Sequence, residues 1–178
     1  ASSSSLRIYT SSNLADWYDT GKRLLSEKEI EWLESKNFSF IQSPDIVKIG
    51  KYFILYLAIN NGNNNRAIIS YRSENPIGPF EDPKTILAND GASNPEIAVD
   101  GATSRVWMFF GDSTIRRIEL DKNGRSVKKG ENSKTVAKSD SKKSLFGGAH
   151  LHHKNGSWFL YLTSSNNGRY TVRVSRSN

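Results

Sequence analysis

The fold is decided by a stretch that reads Ser43-Pro44-Asp45-Ile46-Val47 and continues through Gly50 to Tyr52-Phe53-Ile54-Leu55-Tyr56. The first part has the length of a short strand, and the glycine marks a turn. The last part is rich in the aromatic and β-branched residues that strands favour. This order predicts a β-hairpin.

Two further copies of this phrase occur in the chain. They are Asn94-Pro95-Glu96-Ile97-Ala98-Val99 before Val106-Trp107-Met108-Phe109-Phe110, and Gly148-Ala149-His150-Leu151 before Trp158-Phe159-Leu160-Tyr161-Leu162. Pro44 and Pro95 are 51 residues apart, and Pro95 and Ala149 are 54 residues apart. A period of about 50 residues with several strands per unit is typical of β-propeller blades.

Further strand-like segments follow the hairpins, at Arg66–Tyr71, Ile115–Leu120 and Tyr170–Val174. Leu6–Trp17 has the pattern of the outer half of another blade, and Ser26–Lys36 favours a helix. We therefore predict an all-β chain, a β-propeller fragment of about three and a half blades of four-stranded antiparallel sheets. Residues 1–178 form a single partial domain, with a half blade at 1–40 and blades at approximately 41–90, 91–145 and 146–178. A β-sandwich is the alternative, but it would not explain the repeated phrase.

The composition excludes several classes of protein. Hydrophobic residues make up 36% of the chain, which argues against wholesale disorder. No apolar run approaches the ~18 residues of a membrane span. Cysteine is absent, so the sequence predicts neither disulfides nor thiolate metal sites and leaves the compartment open. The serine run Ala1–Ser5 lacks the charged and apolar parts of a signal peptide.

The net charge of +7 is concentrated between Arg116 and Lys143. Such a stretch could hold an acidic glycan or another acidic polymer. Nucleic acid is disfavoured as a partner, because the stretch lacks the aromatic residues that would stack on bases. The structural alternative is a solvated loop between strands.

Four segments together resemble glycoside hydrolase family 43. They are Ile8–Trp17, Ser43–Phe53, Tyr170–Ser177 and, most specifically, Ser73-Glu74-Asn75-Pro76-Ile77-Gly78-Pro79-Phe80, which is similar to the family's S-x-x-P-x-G-P-W segment. The resemblance implies a five-bladed propeller of the arabinanase, β-xylosidase or arabinofuranosidase type. It also implies an extracellular protein whose partner is a polysaccharide or oligosaccharide of the arabinan or xylan class.

The resemblance further implies an inverting mechanism with a carboxylate base, a carboxylic acid and an Asp that tunes the acid. Inversion needs two carboxyl groups ~6.5 to 9.5 Å apart. The base of the family belongs to a segment that residues 1–178 do not include. The tuning position is Asn94 and the acid position is Gly147. We therefore expect a catalytically degenerate member, and the chain is either part of a hydrolase or an inactive propeller that binds a glycan or a protein.

Polar residues still follow the Pro-like position of each repeat, namely Asp45, Glu96 and His150. Strand alternation places Asn94 and Glu96 on one face. We hypothesise that Glu96 and Asp45 are substitute catalytic residues, and that Asn94, His150 and Arg173 bind substrate. The alternative is that Asp45 orders the start of its strand.

We predict no metal and no cofactor. His150 and His152 share a strand face, but no third ligand is evident. Asp121-x-Asn123-Gly124 is similar to the start of a calcium loop, yet the glutamate that ends such a loop is missing, so we predict a hairpin turn. Trp107, Trp158 and Tyr161 could stack on sugars or belong to the core.

An open stack of blades exposes a strand edge at each end. We therefore predict that the chain self-associates or that a partner chain completes the propeller.

Overall fold

The computed structural model describes residues 6–38, 40–60, 66–88, 91–138, 145–166 and 169–177. These residues form strands β1 (Arg7–Thr10), β2 (Tyr18–Arg23), β3 (Phe40–Ile49), β4 (Tyr52–Asn60), β5 (Arg66–Ser73), β6 (Glu81–Ala88), β7 (Glu96–Val99), β8 (Val106–Phe110), β9 (Thr114–Leu120), β10 (Lys134–Lys138), β11 (Leu145–Lys154), β12 (Ser157–Asn166) and β13 (Arg169–Arg176). The helix α1 (Glu27–Ser35) lies between β2 and β3. The predicted all-β class is confirmed.

The strands form four antiparallel sheets in chain order. The first sheet pairs β1 with β2, the second has the order β3-β4-β5-β6, the third has the order β7-β8-β9-β10, and the fourth has the order β11-β12-β13. Among the described residues the fourth sheet has three strands instead of the predicted four. Each sheet packs on the next, so the β-sandwich alternative is wrong.

The helix forms where the sequence predicts it. Ser26 is its N-cap, and its hydroxyl accepts a hydrogen bond from the backbone N–H of Glu29. Leu33 is buried and joins the core between the first two sheets. No helix in the described ranges is long and apolar enough to cross a membrane.

The core lies in layers between consecutive sheets. Strand β4 is apolar on both faces because a layer covers each of them. Leu55, Leu57 and Ile59 pack towards the first sheet, while Ile54 and Tyr56 pack towards the third. The layer between the third and fourth sheets is much smaller and has Ile115 and Leu162 as its buried residues.

Several polar contacts bind the second sheet to the turn that follows β9. The buried Tyr56 hydroxyl donates to the Gly124 carbonyl at 2.7 Å. Arg125 is 8% exposed, and its Nη1 lies 2.6 Å from Asp82 Oδ2. The segment around Asp121 is a turn, in which the Gly124 N–H donates to the Asp121 carbonyl at 2.9 Å.

The basic stretch Arg116–Lys143 is not one solvated loop, so that interpretation is wrong. Arg116 and Arg117 belong to β9, and Lys134 and Lys138 belong to β10. Arg125 is buried in the contact with Asp82. The last basic residues of the stretch, at 142 and 143, lie outside the described residues.

Candidate functional site

The first strands of three sheets lie side by side. Strands β3, β7 and β11 are edge strands of their sheets, and β7 contacts both of the others. These strands carry the repeated phrase, so the residues at its equivalent positions come together. The predicted site residues Asp45, Glu96 and His150 occupy them.

The carboxylates of Asp45 and Glu96 each accept a hydrogen bond from the backbone of the next sheet. Asp45 Oδ2 accepts the N–H of Ile97 at 2.8 Å, and Glu96 Oε1 accepts the N–H of Leu151 at 2.9 Å. Ile97 and Leu151 are equivalent residues of successive repeats, so the same bond occurs twice. Both carboxylates thus join one sheet to the next, a structural role different from ordering the start of their own strands.

Glu96 is also in contact with His150. Glu96 Oε1 lies 3.0 Å from His150 Nδ1, and the side chain of Glu96 is 19% exposed while that of His150 is 70% exposed. His150 therefore presents most of its ring to solvent beside a half-buried carboxyl group. The structure thus brings together three of the predicted residues: Asp45, Glu96 and His150.

Burial raises the pKa of Glu96 above its usual range, and the nearby charge of Asp45 raises it further. The Leu151 N–H and His150 act in the opposite direction. Burial likewise raises the pKa of Asp45, against the effect of the Ile97 N–H. Two neighbouring carboxyl groups with raised pKa values are a common feature of acid–base sites, although structural networks show it too.

Asn94 lies at the centre of a second set of equivalent residues. Its Oδ1 accepts a hydrogen bond from the Ser43 hydroxyl at 2.7 Å, and its Nδ2 donates to the Gly111 carbonyl at 3.3 Å. On the other side it lies against Gly148, where a Cβ atom would be 3.3 Å from the Asn94 Cβ. Gly147, at the acid position implied by the resemblance, precedes Gly148 in β11.

Ser43, Asn94 and Gly148 share an unusual backbone conformation, with φ angles of 50°, 46° and 109°. Positive φ is rare outside glycine, and it recurs here at the residue before each Pro-like position. Such conformations cluster at functional sites. Ser43 and Gly148 were not predicted as site residues, although an alignment of the three copies of the phrase shows that they are equivalent to Asn94.

A pocket of about 160 Å³ opens beside Asn94. Its polar lining includes Gln42, Ser93 and the ion pair between Arg66 and Asp112, whose Nη1 and Oδ2 atoms are 2.7 Å apart. The Ser93 hydroxyl is buried and has no hydrogen-bond partner among the described residues. Buried hydroxyls usually have a partner, so the Ser93 hydroxyl is an exception to the rule.

The remaining predicted site residue, Arg173, lies elsewhere. Arg173 is on β13 and pairs with Leu162 of β12, two strands and thus about 10 Å across the sheet from β11. Its role in substrate binding stays a prediction. In the described ranges, no three His, Cys, Asp or Glu side chains are grouped so that they could hold a metal ion. The neighbouring His153 packs against the Trp158 ring, with ring centroids 4.7 Å apart.

Comparisons with known proteins concern the chain as a whole. No curated protein matches the chain. Among solved structures, the endo-arabinase from Bacteroides thetaiotaomicron VPI-5482 is similar with a TM-score of 0.77 and 16% identity, over 98% of this chain and 67% of that chain. Native Bacillus subtilis arabinanase Arb43A gives a TM-score of 0.75 and 19% identity, over 97% and 64%.

The GH43 BlXynB protein from Bacillus licheniformis has a TM-score of 0.76 and 22% identity, over 96% of this chain and 34% of that chain. The chain thus spans about a third to two thirds of the length of these proteins. The likeness confirms the predicted fold, part of a β-propeller. The model of glycosyl hydrolases family 43 matches residues 1–178, and the chain therefore belongs to that family.

Proposed function

We propose that the chain recognises a polysaccharide of the arabinan or xylan class at the site around Asn94, and that these residues bind the glycan without cleaving it. The observation that carries this proposal is that both carboxylates are engaged in hydrogen bonds to the backbone. Asp45 and Glu96 each hold a backbone N–H of the next sheet. A group that holds two sheets together is poorly placed to exchange protons with a substrate.

The residues at the positions of the family's machinery support the same conclusion. Gly147 has no side chain that could transfer a proton. The Asn94 amide is matched to its surroundings, because its NH₂ group faces the Gly111 carbonyl. A carboxylate in its place would set an oxygen against that carbonyl and lose the hydrogen bond.

Recognition of sugar hydroxyls suits the pocket beside Asn94. Its lining offers the amides of Gln42 and Asn94 and the Arg66–Asp112 pair. These groups both donate and accept hydrogen bonds, as sugar hydroxyls do. Similar solved structures are described as arabinanases, which directs the proposal to neutral pentose polymers.

A second candidate is substitute catalysis by Glu96 and Asp45 with assistance from His150. The raised pKa values of the two carboxyl groups favour it, because a general acid must be protonated near the working pH. On this hypothesis Glu96 is the acid and Asp45 the base.

Two assays on the same preparation separate the candidates. One measures binding to arabinan and xylan, and the other measures hydrolysis of aryl arabinofuranosides and xylosides. We expect binding without turnover, and about a three- to tenfold loss of affinity in Asn94→Ala, since one or two hydrogen bonds are removed. Asn123→Ala, at the opposite end of the third sheet, is the matched control and keeps the affinity.

Turnover that Glu96→Gln abolishes would refute recognition alone and establish the second candidate. Full affinity in Asn94→Ala would refute the assignment of the site.

A further inference from the structure

A second polar site lies on the third sheet, and its residues Arg117 and Lys134 belong to β9 and β10, the two strands farthest from β7. Strand alternation turns Val106 and Met108 towards the second sheet, so Trp107 points to the opposite face. Two guanidinium groups lie over the Trp107 ring, with Arg105 at 4.4 Å and Arg117 at 4.7 Å from its centroid. Cations over an indole face are held by the charge distribution of the ring.

A pocket of about 280 Å³ opens beside this ring, and its lining includes Arg105, Arg117, Glu131, Asn132 and Lys134. Arg105 is neutralised, because its Nη2 contacts Glu119 Oε2 at 2.5 Å. Arg117 and Lys134 form no ion pair with any residue in the described part of the chain. The pocket therefore has an excess of positive charge.

The two unpaired cations also oppose each other in the sheet. Lys134 of β10 and Arg117 of β9 are direct cross-strand partners. Like charges at directly opposite positions destabilise a sheet. An anion bound between them would remove this repulsion and gain two charge-assisted hydrogen bonds.

The second sheet contains a similar arrangement in which both stacked cations have an acidic partner. Lys51 and Arg72 lie over the Tyr52 ring, at 4.8 Å and 5.0 Å from its centroid. Lys51 pairs with Glu74 at 2.8 Å, and Arg72 pairs with Asp82 at 2.9 Å. Stacked cations alone therefore do not indicate a ligand site, whereas the missing acidic partners at Trp107 do.

We propose that the pocket formed by Trp107, Arg117, Asn132 and Lys134 binds the carboxylate of an acidic sugar, such as a uronic acid unit of a polysaccharide. The guanidinium of Arg117 matches the two oxygens of a carboxylate, and Lys134 adds a point charge. Asn132 offers an amide to the hydroxyls. Glu131 at the pocket disfavours a chain of phosphates, and the cations over the indole leave little room for a stacked base.

The choice of a sugar rests on the proposed function, but the test does not depend on the Asn94 site. Trigalacturonate and xylotriose are titrated into the 178-residue chain by calorimetry at low and high salt. We expect trigalacturonate to bind, with an affinity that falls as salt rises. Arg117→Gln and Lys134→Gln each weaken this binding about tenfold and leave xylotriose binding unchanged.

Lys51→Gln is the matched control, because it removes one charge from a stack in which both cations have an acidic partner, and it leaves trigalacturonate binding unchanged. A thermal shift serves as a second readout: trigalacturonate raises the melting temperature of the wild type more than that of Arg117→Gln. Absence of trigalacturonate binding, or an equal loss in Lys51→Gln, refutes the proposal. Tighter binding of a single-stranded oligonucleotide through Arg117 refutes it in favour of nucleic acid. If the wild type binds trigalacturonate but not xylotriose, the result counts only against the proposed function.

Discussion

Two fully buried tyrosines allow a sharp test of the contact between the second and third sheets. Tyr56 and Tyr71 have no exposed surface. The Tyr56 hydroxyl donates to the Gly124 carbonyl at 2.7 Å, whereas the Tyr71 hydroxyl has no partner among the described residues. Burial raises the pKa of both tyrosines, so both are neutral in any ordinary assay.

Replacing each by phenylalanine removes one oxygen atom from equally buried sites. In Tyr56→Phe the buried Gly124 carbonyl loses its hydrogen-bond donor and is left unpaired, which costs about 1–3 kcal/mol. We expect a loss of about 2 kcal/mol in the free energy of unfolding. Tyr71→Phe removes a buried hydroxyl without a partner, so stability stays the same or rises by about 1 kcal/mol.

Urea denaturation followed by tryptophan fluorescence measures the difference. With a slope of about 2 kcal/mol/M, the midpoint of Tyr56→Phe falls by about 1 M and that of Tyr71→Phe does not fall. Equal losses in the two variants would refute the reasoning, because they would mean that the Tyr71 hydroxyl is as well bonded as that of Tyr56.

Three further predictions concern the backbone, the pH dependence and the exposed sheet. Gly148→Ala should cost about 1–3 kcal/mol, because alanine resists a φ of 109°, whereas Gly101→Ala, with open space around it, should be nearly neutral in the same unfolding assay. Hydrogen bonds from an arginine and a lysine lower the pKa of Glu119 to about 2. This value lies below the pKa of about 4.3 in the unfolded chain, so the stability that ionised Glu119 contributes is complete above pH ~4.3 and is lost as pH falls towards 2. The melting temperature of Glu119→Gln should therefore change less with pH over this range than that of the wild type. Val172 and Val174 are 64% and 53% exposed on the fourth sheet, so the chain should self-associate in sedimentation experiments, and lysine at both positions should reduce this; a wild type that stays monomeric would contradict it.

Much of the fold follows from local features of the sequence. The repeated phrase gives a strand, a turn and a second strand, and the alternation of side chains decides which residues share a face. Strand β4 could be recognised because a run of apolar residues fits a strand covered on both sides. The equivalence of Asp45, Glu96 and His150 also follows from the repeat, since equal positions in successive sheets lie near one another.

What these residues do depends on contacts across the sheets. Asp45 meets the Ile97 N–H and Glu96 meets the Leu151 N–H, partners that are 52 and 55 residues away in the chain. A sequence does not specify which buried N–H faces a given carboxylate, because that depends on how one sheet packs on another. The hypothesis of a substitute acid and base therefore depends on geometry that the repeat alone cannot supply.

The surroundings of the charged residues also depend on the packing of the sheets. The propeller scaffold and the family could be predicted before the fold was known, because strand periodicity and the order of motifs are written in the chain. The burial of Arg125 against Asp82 could not be predicted in this way, nor could the opposition of Arg117 and Lys134 beside Trp107. The physical reason is that the effect of a charge depends on its neighbours in space, and those neighbours come from other strands and other sheets.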